Sequence, residues 1–254
     1  MAPSFPYTCG RVVRFSALLL LLGACSNDTR AALGDDVDGG ALGADGAVEV
    51  EIDAAVARPD AEPQTPDCAV PGPAIVTDID ATLTTSDLEW LMQMGWGSYD
   101  PTERSGGAAL INGYAERGYY ILYLTARPAN YTLIGTSETP TEATLRWLDE
   151  HGYPVDPEHT RLELAPDIII DATATTDYKT GVLTSMEDEG FTFDYAYGNA
   201  ATDITAYENA GIAKEHTFII GTEGGNGGTV AIAGDSWDEH DADFLPTVPT
   251  VCAP

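Results

Sequence analysis

One stretch decides the fold predicted for this chain, Ile75-Val76-Thr77-Asp78-Ile79-Asp80-Ala81-Thr82-Leu83-Thr84. Its apolar start predicts a short buried strand, and two carboxylates, Asp78 and Asp80, follow directly. Ligands of open α/β sheets bind beyond the carboxyl ends of the strands, so we expect a site here. Neighbouring aspartates repel each other unless a cation or a shared proton relieves them. The pattern favours a Mg²⁺ site that leaves one carboxylate for catalysis, and the alternative is an Asx turn that caps the next helix.

Strands and helices alternate along the rest of the chain. We expect strands at residues 74–77, 119–124, 161–164, 191–197, 216–220 and 229–233. We expect helical segments within residues 87–117, at 139–150, at 175–189 with Lys179 in the first turn, and up to residue 210. This alternation predicts an α/β fold with a mostly parallel sheet covered on both faces. The acidic, proline-rich remainder is expected to be irregular up to Cys252.

The N-terminus has the order of an export signal. Arg11 and Arg14 precede an apolar run at residues 15–22, which is too short to span a bilayer. Small residues follow the run. We therefore predict a signal peptide at residues 1–24.

The sequence Leu22-Gly23-Ala24-Cys25 resembles the bacterial lipobox. The resemblance implies that Cys25 becomes the lipidated first residue of an exported lipoprotein, whose acyl chains hold it at a membrane. Ser26 after the cysteine favours the outer membrane or the cell surface over the inner membrane. The alternative is an ordinary signal peptide that happens to contain a cysteine.

Residues 25–67 are predicted to be a disordered acidic tether behind the lipidated cysteine. The segment is rich in Asp, Ala, Gly and Pro and contains no aromatic residue. It therefore cannot bury enough apolar surface to offset the entropy lost on ordering. The catalytic domain is expected to comprise residues 68–254.

Two cysteines, Cys68 and Cys252, lie at the two ends of this predicted domain. Thiols of exported chains enter an oxidising compartment, where disulfides form and persist. We therefore predict a disulfide between them, and two unrelated thiols are the alternative.

The chain is strongly acidic, with 41 Asp and Glu against 11 Lys and Arg and a formal net charge of −30. Such a charge offers no basic surface to attract nucleic acid or an anionic membrane. Nucleic acid is therefore excluded as a partner, although the charge does not identify a ligand.

Polar clusters follow three of the predicted strands. They are Asp78, Asp80 and Thr82 after the first strand, Thr125 and Arg127 after the second, and Asn199 and Asp203 after the fourth. Lys179 lies on the helix before the last cluster. The carboxyl ends of parallel strands meet at one edge of a sheet, so we expect these groups to converge. Together they offer a nucleophile, an acid/base, a hydroxyl group, a cation and metal ligands, which phosphoryl transfer requires.

In this order the motifs resemble those of the haloacid dehalogenase-like (HAD) phosphatases, and more closely those of the lipin family and its LNS2 domain. The lipin motif Ser-Asp-Ile-Asp-Gly-Thr-Ile-Thr-x-Ser-Asp corresponds to residues 77–87. Tyr-x-Ser-Ala-Arg corresponds to residues 123–127, and Gly-Asn-x-x-x-Asp-x-x-Ala-Tyr corresponds to residues 198–207. The resemblance covers about residues 74–233. It implies a HAD-like, Rossmann-like three-layer sandwich with a small cap or none.

The resemblance implies a Mg²⁺-dependent phosphatase with a catalytic role for each matched residue. Asp78 would be the nucleophile that forms an aspartyl-phosphate. Asp80 would protonate the leaving oxygen and then activate water. Thr125 would bind the phosphoryl oxygens, and Lys179 would neutralise the nucleophile and the phosphate.

The same resemblance implies further ligands around the metal and the substrate. The implied metal ligands are Asp78, Asp80, Asp203 and Asn199. Thr82 and Arg127 are the implied substrate-binding residues. Arg127 would reach the phosphate or organise its loop, and the alternative is a surface or structural arginine.

One of the departures from the motif bears on the backbone. Ala81 stands where the family has glycine, so we expect that the loop does not need a positive φ there. A methyl group at this position could also crowd the phosphate pocket.

The implied substrate is a phosphomonoester, either phosphatidate or a small soluble compound. The alternative is a non-catalytic phospholipid- or phosphate-binding module of the LNS2 type. Such modules lose the catalytic aspartates, whereas Asp78 and Asp80 are both present, which favours an enzyme.

Overall fold

The computed structural model describes residues 69–252. The predicted signal peptide at residues 1–24, lipidated Cys25, the tether at residues 25–67 and Cys68 lie outside the described residues. These predictions therefore stay predictions. Among the residues described, no helix is long and apolar enough to cross a membrane.

Within residues 69–252, six parallel strands form one sheet. The strands are β1 (Pro73–Thr77), β2 (Tyr120–Pro128), β3 (Thr160–Ala165), β4 (Thr192–Gly198), β5 (Thr217–Ile220) and β6 (Val230–Ile232). They lie in the order β3-β2-β1-β4-β5-β6, and every pairing is parallel. The α/β prediction is confirmed, and the topology is consistent with a Rossmann-like HAD fold.

Helices cover both faces of this sheet. The helices of residues 69–252 are α1 (Asp87–Gly95), α2 (Gly107–Ala115), α3 (Pro140–Glu150), α4 (Ala172–Glu189), α5 (Ala201–Asn209) and α6 (Asp238–Asp243). Those that pack on the strands are α2, α3, α4 and α5. Successive side chains of β2 point to opposite faces, as strand geometry requires. Ile121 packs in a core with α2 and α3, whereas Leu122 packs in a second core with α4 and α5. The result is a three-layer sandwich.

Local signals set where two of the helices begin. Thr139 precedes Pro140 and forms a capping box with Glu142 in the first turn, so α3 begins where the sequence predicts. The Asp171 carboxylate accepts a hydrogen bond from Ala174 N, 2.9 Å away, and caps α4. This cap starts α4 at Ala172, so Lys179 lies about two turns inside the helix and its predicted place in the first turn is wrong.

The prediction of an irregular C-terminal remainder is also wrong. This part of the chain contains α6 and a short 3₁₀ helix, Leu245–Thr247. Trp237 is fully buried, and its indole Nε1 donates to the carbonyl oxygen of Thr82, 2.9 Å away. The acidic composition concealed a few large apolar side chains that complete the core beside α2.

The predicted disulfide involves one cysteine inside the described residues and one outside. Cys252 and Ala69, the neighbour of Cys68, line the same hollow at the surface. The pairing of Cys68 with Cys252 stays a prediction, since Cys68 itself is not described.

Candidate active site

The predicted site residues converge at the carboxyl edge of the sheet. The chain runs outward from β1 to β2 and β3 on one side, and β4 lies on the other side of β1. Such a switch point is where α/β sheets bind ligands. A cavity of about 370 Å³ opens there and is lined by Asp78, Asp80, Thr125, Arg127, Lys179, Asn199 and Asp203. Thr82 is fully buried beside it.

Lys179 forms the centre of a buried ion network. Its Nζ donates to Asp78 Oδ1 and to Asp203 Oδ1, each 2.6 Å away. All three residues are nearly or fully buried. Because Lys179 lies inside α4, Asp78 follows β1 and Asp203 lies in α5, one ammonium group joins three elements.

Burial and charge oppose each other in this network. Burial raises the pKa of Asp78, Lys179 lowers it, and Asp203 and Asp80 raise it again, so that the pKa stands above its ordinary value. Burial lowers the pKa of Lys179, but Asp203 and Asp78 raise it by more than burial lowers it, so the ammonium stays charged. A cation beside Asp78 would favour the ionised carboxylate, which is the form a nucleophile needs.

Asp203 is held in place by both of its carboxylate oxygens. Oδ1 accepts from Lys179, and Oδ2 accepts from the backbone N–H groups of Asn199 and Ala200, at 3.1 and 3.0 Å. These contacts fix the loop between β4 and α5 and orient Lys179. The role of Asp203 as a metal ligand stays a prediction, whereas its contact with Lys179 is observed.

Asn199 adjoins a cluster of oxygen atoms. One terminal atom of its amide lies 3.1 Å from the Asp80 carbonyl oxygen, 3.2 Å from Asp78 Oδ2 and 3.1 Å from Thr82 Oγ1. With nitrogen at this place, the amide donates hydrogen bonds to these oxygens. With oxygen there, a carboxylate, a carbonyl and an amide oxygen face one another and would need a cation between them.

This oxygen cluster fits Mg²⁺, which prefers oxygen ligands and usually keeps several waters. Among residues 69–252, no group of three or more His, Cys, Asp or Glu side chains is placed to hold a metal. A cation would therefore rely on Asp78 Oδ2, the Asp80 carbonyl and the Asn199 amide oxygen. The Asp80 carboxylate points elsewhere.

Arg127 and Thr125 hold the Asp80 carboxylate. Arg127 Nε lies 3.1 and 3.0 Å from Asp80 Oδ1 and Oδ2, and Arg127 Nη2 lies 2.8 Å from Oδ1. Thr125 Oγ1 donates to Asp80 Oδ2 over 3.0 Å. The carboxylates of Asp78 and Asp80 thus have different cationic partners, Lys179 for Asp78 and Arg127 for Asp80.

Arg127 is not a surface residue, since only 1% of it is exposed. Its Nη1 donates to Thr144 Oγ1 on α3 over 2.9 Å. The ring of Trp90 on α1 lies 4.8 Å from the guanidinium carbon, within cation–π range. In this structure Arg127 therefore joins the Asp80 loop to α3 and α1, and its predicted contact with phosphate stays a prediction.

The loop after Asp80 does need a positive φ, contrary to expectation. Ala81 has a φ of 56°, the only such value among the described residues other than glycine. Its N–H donates to Thr84 Oγ1 over 3.0 Å. The turn is therefore formed at the cost of local strain that a glycine would not have.

Arg104 secures this turn from outside. Its guanidinium donates to the carbonyl oxygens of Ala81, Thr82 and Thr85, at 3.0 to 3.2 Å. Arg104 is only 7% exposed. Charged donors to several carbonyls are strong, and this contact explains how the turn tolerates Ala81.

Sequence reasoning missed Arg104 and the helix α1 as parts of the site. Arg104 belongs to none of the matched motifs, so no sequence pattern marked it. Trp90, Leu91 and Met94 of α1 line the cavity together with Ile168 and Ile169, which precede α4. The apolar spacing of Trp90, Leu91 and Met94 was the one signal in the sequence that could have placed α1 against the site.

We predict that Ala81→Gly raises the free energy of unfolding by about 1 kcal/mol, because glycine adopts a positive φ without a clash at Cβ. Urea denaturation measures the change. The control Ala174→Gly lies in α4, where helical backbone makes glycine unfavourable, and should lower the stability. A loss of stability in both variants would contradict the strain at Ala81.

Comparison with known proteins agrees with this geometry. Residues 75–221 match the family model described as PITM 1-3, LNS2 domain. Protein retinal degeneration B of Drosophila melanogaster is 26% identical over 151 residues, which are 59% of this chain and 10% of that protein. Phosphatidic acid phosphohydrolase 1 of Saccharomyces cerevisiae is 29% identical over 174 residues, which are 60% of this chain and 19% of that protein.

The chain thus spans less than a fifth of the length of these two relatives. The predicted resemblance to LNS2 domains is confirmed, while the lipoprotein assignment stays a prediction. The family match covers more than half of the chain and includes most of β1 and all of β2 and β4, which position Asp78, Thr125 and Asn199. Thr125 and Arg127 lie within β2, which runs to Pro128, rather than after it as predicted. This protein belongs to the LNS2 domain family.

Proposed function

We propose that this protein is a Mg²⁺-dependent phosphatase that hydrolyses a phosphomonoester, with phosphatidate as the favoured substrate, through an aspartyl-phosphate on Asp78. The observation that carries the proposal is Asp78 itself. One of its carboxylate oxygens is held by Lys179, and the other adjoins the oxygen cluster at Asn199. The similarity to a phosphatidic acid phosphohydrolase supports phosphatidate.

The first half-reaction transfers the phosphoryl group to the protein. An oxygen of Asp78 attacks phosphorus, the bond to the ester oxygen breaks, and Asp80 gives a proton to the leaving alcohol. Lys179 balances charge at Asp78 and at the incoming phosphate. Mg²⁺ bound at the oxygen cluster would neutralise charge on the phosphoryl oxygens.

The second half-reaction releases phosphate. Asp80, now ionised, takes a proton from a water molecule that attacks the phosphorus of the aspartyl-phosphate. The acyl phosphate bond breaks, inorganic phosphate leaves and Asp78 is regenerated. For both steps Asp80 has to exchange a proton while Arg127 and Thr125 keep it oriented. The contacts of Thr125 and Thr82 with phosphoryl oxygens belong to the same proposal.

We predict that Asp78→Asn lowers the turnover of p-nitrophenyl phosphate and of phosphatidate in mixed micelles by at least about a thousandfold, because an amide is a poor nucleophile. Chelation should abolish wild-type turnover, and added Mg²⁺ should restore it. Asp177→Asn, at a residue of α4 outside the cavity, is the control. Undiminished turnover of Asp78→Asn would refute the assignment, and binding of phosphatidate without any hydrolysis by the wild type would favour the non-catalytic module.

Arg127→Lys is expected to lower kcat for p-nitrophenyl phosphate by about tenfold or more with little change in KM. Lysine carries a point charge and cannot hold both carboxylate oxygens of Asp80 as the planar guanidinium does. The matched control is Arg146→Lys on α3, where the arginine pairs with Glu138 and Glu150 at the surface. Equal kinetics in the two variants would show that Asp80 does not depend on Arg127.

We also propose that the enzyme is a lipoprotein of the cell envelope, anchored through Cys25 and a tether. The order of residues 11–25 supports this proposal. Cys25→Ser is expected to abolish incorporation of labelled fatty acid and to release the protein from the membrane fraction, because the acyl chains supply the membrane affinity. Cys9→Ser is the control and should retain the label. Incorporation of labelled fatty acid into the Cys25→Ser protein would contradict the proposal.

A further inference from the structure

Exposed apolar side chains lie on two segments that also line the catalytic cavity, α1 and the segment before α4. We call Leu88 and Leu91 of α1, with Ile168 and Ile170 of the segment before α4, the apolar rim. Their exposed fractions are 58%, 59%, 59% and 92%. Exposed apolar residues that lie together commonly mark a contact surface. Contact of the apolar rim with a partner would remove this apolar surface from water.

The apolar rim is continuous with the wall of the cavity. Leu91 and Ile168 belong to both, and Trp90, Met94 and Ile169 extend the apolar wall inward. Asp78 and Lys179 lie in the same cavity, so a phosphate bound there would place the rest of its ester along this wall. An apolar wall fits hydrocarbon, and a polar leaving group would find few partners on it.

The charges around the apolar rim limit which kind of partner can bind there. Residues 86–97 and 166–178, which carry the rim, contain no Lys or Arg, and Asp87, Asp167 and Asp171 lie among the rim residues. Attraction to anionic headgroups therefore cannot hold this face at a surface, whereas burial of apolar side chains can. A protein seated on the rim would close the mouth through which the substrate enters.

We propose that the apolar rim docks into the boundary of a lipid bilayer, so that the substrate enters the cavity directly from the membrane. This inference rests on the proposed function, because it takes the phosphate to bind at Asp78. Docking keeps the acyl chains in an apolar environment along the wall and the rim while the phosphate reaches Lys179. It makes Leu88 and Ile170, which do not line the cavity, membrane contacts rather than substrate contacts.

The first test compares two substrates for the full chain. The double variant Leu88→Glu/Ile170→Glu is expected to hydrolyse phosphatidate in phosphatidylcholine vesicles about tenfold more slowly, while p-nitrophenyl phosphate turnover stays within about twofold of wild type. Leu145→Glu on α3 is the matched control, since Leu145 is an exposed leucine outside the cavity lining. Equal losses on both substrates, or no loss on vesicles, would overturn docking.

The second test does not need catalysis. Leu88→Trp places a fluorescent side chain on the apolar rim, and Leu145→Trp places one on α3. Residues 1–68 contain no tryptophan, so an anchored N-terminus adds no signal. Brominated phosphatidylcholine in vesicles is expected to quench the fluorescence of Leu88→Trp and to leave that of Leu145→Trp close to wild type. Equal quenching of both variants, or of neither, contradicts the proposal.

The two tests separate this inference from the proposed function. If the wild type hydrolyses neither substrate, the proposed function fails, and quenching still decides whether the apolar rim enters the bilayer. If the double variant turns a dimer into a monomer in sedimentation and leaves vesicle turnover unchanged, the rim is an interface between copies of the chain, and bilayer docking is overturned.

Discussion

The contact of the buried Lys179 ammonium with two carboxylates is the interaction on which the site depends. Buried carboxylates are unfavourable unless they are paired and hydrogen-bonded, and Lys179 reaches both Asp78 and Asp203 at 2.6 Å. This contact joins the end of β1, the interior of α4 and the start of α5. One lysine between two carboxylates leaves one net negative charge, which suits a divalent cation and then a phosphate.

The carboxylate of Asp80 has its own partner, and this separation would allow the two different chemical roles that we propose for Asp78 and Asp80. Asp80 pairs with Arg127, so the two aspartates differ in environment although only one residue lies between them. Arg127 in turn contacts α3 through Thr144 and α1 through Trp90. The helix α1 therefore contacts Arg127 through Trp90 and also carries Leu88 and Leu91 of the apolar rim.

Sequence reasoning predicted the strands and the residues at their ends well, because both are local. An apolar run followed by aspartates can be recognised in the sequence without knowledge of any distant contact. The expectation at Ala81 was wrong because backbone conformation was inferred from residue type alone. The positive φ is tolerated because Arg104 and Trp237 bind carbonyl oxygens of the same turn from distant positions in the chain. The irregular C-terminus predicted from composition was wrong for a similar reason, since Trp237 finds a partner that composition does not reveal.

The sequence by itself determined the α/β fold, the order of the motifs and the set of side chains that meet at the switch point. Periodicity and strand ends are properties of neighbouring residues, and the carboxyl ends of parallel strands must share one edge. Only the tertiary structure decided which charges pair, that Arg127 is buried against Asp80, and that Asp203 orients Lys179. Those pairings depend on burial and on distances between groups far apart in the chain, where desolvation makes each unpaired charge costly and so selects one arrangement.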